Sequence, residues 1–556
     1  MARKRKYPVG IQSFETIRKD GYLYLDKTAH IYKLITEGKP YFLSRPRRFG
    51  KSLLISTLQA VFEGRRDLFE AFTTEQGIEQ PQLFIAQTDW KWEKYPVLRF
   101  DFSAGDLVNI EQLDTLIDAT LKGYEQKYGI VPDVADANIR MVNLLRTLHE
   151  QTGKRVVVLV DEYDNFILHA LGDAEKVTMA RQRFQNVFGP LKAEDDHLQF
   201  VFITGISKFS QMGVFSKLNN LKNISMSPQY EQICGISEEE LTTQLRPDVA
   251  LLAASRKESS EETLAELKRM YDGYHFSEGM TDMYNPFSLV NAFDSGTIKK
   301  FWFDSATPSA LFAMLRQMPS LQLSDIDGKR CPDTAFDMPF ESFQDPLPAL
   351  YQSGYLTIKD YQPSRQMYTL GFPNQEVRTG FANCLYQIVS DTRPDDNGRN
   401  IFLEAYYDFR DSGDLPAFIE ALKAFFASLP YQWEKDNGNV RSSESYQASL
   451  NSRVAPDFDE VNEHYYHSLL YTLLTAFGAD VRVEEPTAKG QSDLVLLMPK
   501  GIYIMELKYN DTADSALAQI DAKGYADKYT LDGRPVTKIG IAFSTDERNI
   551  SEWKSR

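Results

Sequence analysis

The sequence predicts a multidomain α/β protein, with a parallel sheet in its N-terminal part and a separate α/β module at its C-terminal end. Three observations carry this. The length of 556 residues exceeds what one ordinary core fills and favours three or four domains. Short apolar runs alternate with helical spacing through the first 235 residues, the pattern of a parallel sheet with both faces covered. Beyond residue 480 a second group of apolar strand candidates leads into a helix.

Bulk properties remove several classes. With 42% hydrophobic and 25% charged residues the chain is neither disordered nor a membrane protein by composition. No apolar run approaches the ~18 residues that span a bilayer, and the basic start Met1 to Lys6 has no apolar h-region behind it. A soluble, cytoplasmic protein with no membrane partner is expected. Cys234, Cys331 and Cys384 are too scattered for a disulfide framework or a zinc site. A net charge of −16 argues against nonspecific coating of nucleic acid, yet an acidic molecule can carry a local positive groove, and carboxylates are what hold cations.

Taken in order, Pro40-Tyr-Phe-Leu-Ser44 reads as a strand, and Ser52 to Phe62 continues with helical spacing. Pro96 to Phe102, Arg155 to Val160 and Leu198 to Thr204 are further buried strands separated by helices. Ser237-Glu-Glu-Glu240 opens a helical lid, a serine before acidic residues being a helix N-terminus. Pro346 to Gly354 as helix, Tyr355 to Asp360 and Met367 to Leu370 as hairpin, outline a winged helix whose tip carries Lys359 and Arg365. Loop signals at 395–398 and 436–439 flank a helical segment from about 400 to 429. The last module reads as a helix from Glu460 to Phe477, strands at 481–483, 493–498 and 501–506, and a helix from Ala513 to Tyr529. The resulting division is 1–235 for the sheet domain, 236–300 for the lid, 301–440 for the middle region and 441–556 for the C-terminal domain.

Two constellations carry chemistry. A phosphate-binding loop needs N–H groups curled round phosphate, a lysine on it and a hydroxyl on Mg²⁺. Gly50, Lys51 and Ser52 supply the end of that pattern, with Arg48 adding charge, while Arg45 stands where the pattern's first glycine would be. Downstream, Val156 to Val160 is an apolar strand ending in Asp161 and Glu162, the arrangement in which the aspartate holds Mg²⁺ and the glutamate polarises water. The bland alternative is a solvated acidic turn. Thr204, at the end of the next strand, is read as a γ-phosphate sensor or as a hydroxyl bonding its own backbone. Arg181, Arg183 and Lys208 are weaker charge-stabiliser candidates, better read as surface residues.

In the C-terminal module Asp493 begins one strand and Glu506-Leu-Lys508 ends the next, with Glu506 and Lys508 on one face and Leu507 in the core. Two acids on neighbouring strands can bind Mg²⁺, with Mn²⁺ as substitute, and a lysine beside them can orient water or offset charge on phosphate. A salt-bridged hairpin is the bland alternative. Glu463 on the preceding helix is a further metal-ligand candidate, Gln519 a phosphate contact, and Tyr525 a residue that packs on the sheet.

Further matches run through Gly21 to Thr28, Arg45 to Ser52, Asp161-Glu-Tyr-Asp164, Thr204 to Ser210, Phe215 to Leu221, Tyr271 to Ser277, Asn285 to Ser288, Gly354-Tyr-Leu356 and Gly490 to Lys508. On these residues the chain resembles a family of bacterial proteins, frequent in gut Bacteroidetes and their relatives, that join an AAA-ATPase-like domain to a C-terminal PD-(D/E)XK nuclease domain. The family's loop resembles Arg-Pro-Arg-Arg-Phe-Gly-Lys-Ser, so the resemblance makes Arg45 a family trait. Asn165-Phe166 departs from the family's tendency to Pro-Leu and leaves the carboxylates intact. The resemblance implies a P-loop parallel-sheet ATPase domain, a restriction-endonuclease-like α/β domain, ATP and Mg²⁺.

The leading reading is a nucleotide-regulated, metal-dependent nuclease acting on nucleic acid, DNA ahead of RNA, with a homo-oligomer left open. The competing reading is a signalling ATPase switch whose C-terminal module only binds nucleic acid or a protein.

Overall fold

The computed structural model describes residues 5–103, 109–170, 173–207, 220–306, 326–337, 346–390, 397–428, 463–487, 489–544 and 546–556. Lys208, the matches at 208–219, residues 395–396, the loop signal at 436–439 and the 440/441 boundary lie outside them. Two compact units form, Met1–Ala313 with Gly328–Val377, and Met314–Asp327 with Arg378–Arg556.

The first unit is organised by five parallel strands, β1 (Pro40–Ser44), β4 (Val97–Asp101), β5 (Val156–Asp161), β6 (Leu198–Gly205) and β7 (Lys222–Asn223), in the spatial order β4-β5-β6-β1-β7. Every residue of β5 is buried, as its run of valines requires of a central strand covered on both faces. A small ribbon, β2 (Phe72–Thr73) with β3 (Glu79–Gln80), lies outside this sheet. The helices are α1 (Phe14–Lys19), α2 (Thr28–Glu37), α3 (Lys51–Phe62), α4 (Ile110–Tyr128), α5 (Ala137–Thr152), α6 (Asn165–His169) and α7 (Ala174–Phe188). Leu144, Leu148, Phe184 and Phe188 from α5 and α7 pack on Phe100, Val158 and Val160 of the sheet.

The region predicted as a lid holds β8 (Ile236–Ser237), α8 (Glu238–Thr243), α9 (Arg246–Arg256), α10 (Ser260–Tyr271), β9 (Met283–Tyr284) and α11 (Pro286–Ser295), and α12 (Phe301–Ala306) follows it. Ser237 and Glu240 close a reciprocal capping box at the start of α8, as the Ser-Glu-Glu-Glu pattern predicts. Then come β10 (Lys329–Pro332), α13 (Leu347–Ser353), β11 (Thr357–Gln362) and β12 (Met367–Gly371), a three-stranded antiparallel sheet in the order β10-β12-β11 with a helix before its hairpin. The helix-then-hairpin outline is present, β10 is an additional strand, and α14 (Gln375–Ser390) follows.

In the second unit α15 (Asn397–Ser412), α16 (Leu415–Ser428) and α17 (Glu463–Ala476) accompany a mixed sheet of β13 (Val481–Thr487), β14 (Gly490–Met498), β15 (Gly501–Tyr509), β16 (Val536–Ser544) and β17 (Asn549–Ser555). Neighbours are antiparallel except β15 and β16, which run parallel because α18 (Ala513–Lys523) crosses over between them. The helix predicted to reach Tyr529 stops at Lys523: Gly524 takes a left-handed cap, and Asp527–Tyr529 is only a short 3₁₀ turn. Asn397 and Gly398, read as loop, open a helix instead. Among the described residues no helix is long and apolar enough to cross a membrane.

Candidate functional site

In the first unit β1 delivers the chain into the loop Arg45–Gly50, and α3 begins at Lys51 behind Gly50, whose φ of 94° turns the backbone into the helix. The loop stands at the carboxyl ends of parallel strands, where open α/β sheets bind ligands. Arg45 is only 2% exposed. Its guanidinium donates to the carbonyls of Ser44, Ser225 and Tyr230 and lies 4.1 Å from the Phe276 ring centroid. The residue in place of the missing glycine is therefore a buried strut that ties the loop to the segment after β7. Lys51 Nζ donates to the Arg45 and Pro46 carbonyls, both at 3.0 Å, so its charge is held under the loop.

A cleft of about 670 Å³ opens over this loop, lined by Arg47, Arg48, Gly50, Lys51, Ser52 and Glu162 on its polar side. Val9, Ile11, Phe287 and Val290 give it an apolar side. Arg48 is exposed and sits 5.0 Å from the Phe287 ring centroid. The N-terminal segment did not stand out in the sequence, and Asn285 to Ser288 at the start of α11 stood out only as a family match, because apolar residues lining a cleft look like any core residues.

Asp161, at the end of β5, is fully buried behind the cleft, and its Oδ1 accepts from Thr204 Oγ1 at 2.9 Å. Burial raises its pKa above the usual aspartate value, Asp101 adds to this, and the hydroxyls of Ser52 and Thr204 oppose it. Its Oδ2 has no hydrogen-bond partner and lies 3.8 Å from the Arg99 guanidinium. Thr204 thus orients Asp161 and is not among the cleft-lining residues. Glu162 faces the cleft with a left-handed φ of 49°, and burial raises its pKa while Lys51 and Arg47 oppose the shift. Asp164 Oδ2 accepts from the Ile206 and Ser207 N–H groups and from Ser207 Oγ, so it anchors the chain after β6. Arg183 pairs with Asp114 at 2.7 Å. Arg99, three residues after Pro96 on a strand read only as core, was missed; its alternation with Asp101 beside Asp161 was the available signal.

In the second unit Asp493 on β14 and Glu506 and Lys508 on β15 meet on one face. Asp493 Oδ2 accepts the Leu507 N–H at 2.8 Å, Lys508 Nζ lies 3.4 Å from Glu506 Oε1, and the same ammonium is 3.6 Å from Glu463 Oε1. Gln519 from α18 donates to Glu506 Oε1. Glu506 is 0% exposed, and burial first and the Asp493 charge second push its carboxyl up to about 8 against the pull of Lys508. Its Oε2 has no hydrogen-bond partner. Burial also raises Asp493. Lys508 is drawn down by burial but raised overall by Glu506, Glu463 and Asp493. Tyr525 packs in the apolar cluster beneath the sheet. His467, unnoticed in the sequence, sits one helical turn after Glu463 on α17, and its Nε2 is 2.9 Å from the Asp493 carbonyl oxygen.

Two desolvated carboxylates with an unpartnered oxygen beside a lysine are a donor set that suits a hard divalent cation. Among the described residues no three His, Cys, Asp or Glu side chains converge as metal ligands, and Glu463 is turned to Lys508 instead.

Comparison with known proteins finds a family model matching each end of the chain. The predicted AAA-ATPase family model matches residues 8–215, and the PD-(D/E)XK nuclease superfamily model matches residues 461–553. A protein of Azotobacter chroococcum mcd 1, named "Uncharacterized protein in vnfD 5'region", is 33% identical over 561 residues, spanning 99% of this chain and 98% of that one. The chain belongs to this family, in which a predicted AAA-ATPase domain precedes a domain of the PD-(D/E)XK nuclease superfamily.

Proposed function

We propose that the chain binds and hydrolyses ATP in the Lys51 cleft and cleaves nucleic-acid phosphodiesters at Asp493, Glu506 and Lys508, with nucleotide state gating cleavage. The observation that carries this reading is the fully buried Glu506 carboxyl, pushed up to about 8 with one oxygen unpartnered, beside Asp493 and Lys508. Burying such a group is costly unless something positive completes the site.

At the cleft, Lys51 would leave the loop carbonyls for the β- and γ-phosphates of ATP, and Ser52 and Asp161 would hold Mg²⁺. Glu162 accepts the proton of the attacking water, Arg48 adds positive charge on the triphosphate, and Thr204 keeps Asp161 oriented. At the second site Asp493 and Glu506 would hold Mg²⁺ or Mn²⁺, which when bound would supply Lewis-acid stabilisation of charge on the phosphate. Lys508 positions water and offsets negative charge there, while Gln519 fixes Glu506. DNA is the favoured substrate.

The test is incubation of purified full-length protein with labelled DNA and RNA, with and without Mg²⁺ and ATP. Cleavage should require the metal. Asp493→Ala, Glu506→Ala and Lys508→Ala should each lose more than the ~10–100-fold typical of outer-shell residues, without unfolding the protein. Wild-type protein that cuts no nucleic acid under any combination would replace this reading with a switch whose C-terminal domain only binds.

A further inference from the structure

The outer side of the phosphate loop is held from a distant part of the chain. Trp302, 255 residues beyond Arg47, donates its indole N–H to the Arg47 carbonyl at 2.9 Å. The ring is 1% exposed and packs against Tyr355 and Phe303 with centroids 5.5 and 6.2 Å away. Gly354, with φ +87°, lies directly on Pro46: a Cβ there would stand 2.5 Å from Pro46 Cβ, so only glycine permits this approach.

The bond to Arg47 bears on backbone geometry. The carbonyl of Arg47 and the N–H of Arg48 belong to one planar peptide, and the φ of Arg48 measures where that plane lies relative to the rest of the loop. Arg48 has φ 65°, a left-handed conformation disfavoured for any residue with a Cβ. A trans peptide sets its N–H opposite its C=O, so fixing the Arg47 oxygen on Trp302, which is not among the cleft-lining residues, also fixes the direction of the Arg48 N–H. Left-handed residues such as Arg48 and Gly50 are the backbone conformation from which concave anion-binding nests are built.

Trp302 is in turn held by Glu376. Glu376 Oε1 accepts the Trp302 backbone N–H at 2.7 Å, and Oε2 accepts from Ser288 Oγ at 2.7 Å. Ser288 belongs to α11, whose Phe287 and Val290 line the cleft. One buried carboxylate thus fastens both the lid helix and the residue that orients the loop.

We propose that Trp302 is a positioning residue of the nucleotide site, braced by Glu376, which presets the Arg47–Arg48 peptide for binding the polyphosphate. This rests on the nucleotide reading of the cleft. A group that acts on phosphate alone affects ligands according to their phosphates, whereas a general packing role affects all of them.

The experiment measures the affinity of full-length wild type, Trp302→Phe, Glu376→Ala and Glu376→Gln for Mg-ATP, Mg-tripolyphosphate and adenosine, with melting temperatures alongside. Phenylalanine keeps an apolar ring and removes the N–H. Trp302→Phe should bind ATP and tripolyphosphate about five- to tenfold more weakly, the loss expected for one buried hydrogen bond, and adenosine within twofold of wild type. Glu376→Ala should weaken ATP and tripolyphosphate binding at least as much, and Glu376→Gln, which keeps an acceptor for the Trp302 N–H, should restore affinity. Unchanged ATP and tripolyphosphate affinity in Trp302→Phe, or an equal loss for adenosine, overturns the proposal while leaving the nucleotide reading intact. Wild-type protein that binds none of the three ligands overturns both.

Discussion

Glu376→Gln should abolish a pH dependence of folding that the wild type carries between about pH 4.5 and 7. Burial pushes the Glu376 carboxyl from the ordinary 4.5 up to about 7, even though Ser288 and the backbone N–H groups of Trp302, Phe303 and Phe301 favour the charged form. In the unfolded chain the carboxyl ionises near 4.5, so across this window the folded protein binds the extra proton. Stability from this group is fully present below pH 4.5 and is lost as pH rises through about 7. At about 1.4 kcal/mol per tenfold, the loss is about 3 kcal/mol. Glutamine has no proton to exchange and keeps similar hydrogen-bond partners. The assay is urea unfolding of both proteins at pH 5 and pH 8, comparing the difference between them so that Asp272, which burial raises to about 6, and other shared titrations cancel. The variant should gain about 3 kcal/mol relative to wild type between the two pH values. A difference that stays flat with pH would refute the assignment of a buried carboxyl whose pKa burial raises at this position.

Glu162→Gln should bind ATP with wild-type affinity and hydrolyse it at least ~100-fold more slowly, since general-base catalysis contributes about that much; equal turnover would remove Glu162 from the reaction. Gly540→Ala should destabilise the second unit by about 1–3 kcal/mol, because a Cβ there would stand 2.3 Å from the Ala513 carbonyl of α18 and 3.1 Å from Ala516 Cβ. An unchanged urea midpoint would contradict that packing. At the exposed β11–β12 hairpin, replacing Lys359 and Arg365 together with alanine should weaken nucleic-acid binding and lower its salt slope by about 1–2; an unaltered slope would assign the hairpin to packing.

Much of the fold was legible because it is written locally. The strand–loop–helix at 40–62, the all-buried valine strand and the Ser237–Glu240 box depend on neighbours in sequence, and all three are present. Asp493, Glu506 and Lys508 were legible because strand alternation places Glu506 and Lys508 on one face and the short β14–β15 hairpin brings Asp493 alongside. The end of α18 was overrun because Asp521 to Tyr529 keeps helical spacing and only Gly524 stops it. Thr204 was legible as a strand-end residue but its partner was not, since which hydroxyl reaches Asp161 depends on sheet order. Arg45 was legible as a departure from the phosphate-loop pattern and a family trait but not as a buried strut, since two of its acceptors lie 180 and 185 residues away. The Trp302 and Glu376 contacts are equally long-range.

The most direct test of the central claim is the rate of DNA cleavage in Mg²⁺ with and without ATP, measured on wild type and on Lys51→Ala. If the nucleotide cleft governs the Asp493–Glu506–Lys508 site, ATP should change the wild-type rate within the ~5–150-fold range of ordinary coupling between sites. The Lys51→Ala protein should still cut, with no response to ATP. Wild-type cleavage indifferent to ATP, or a Lys51→Ala variant that responds as the wild type does, would contradict the account.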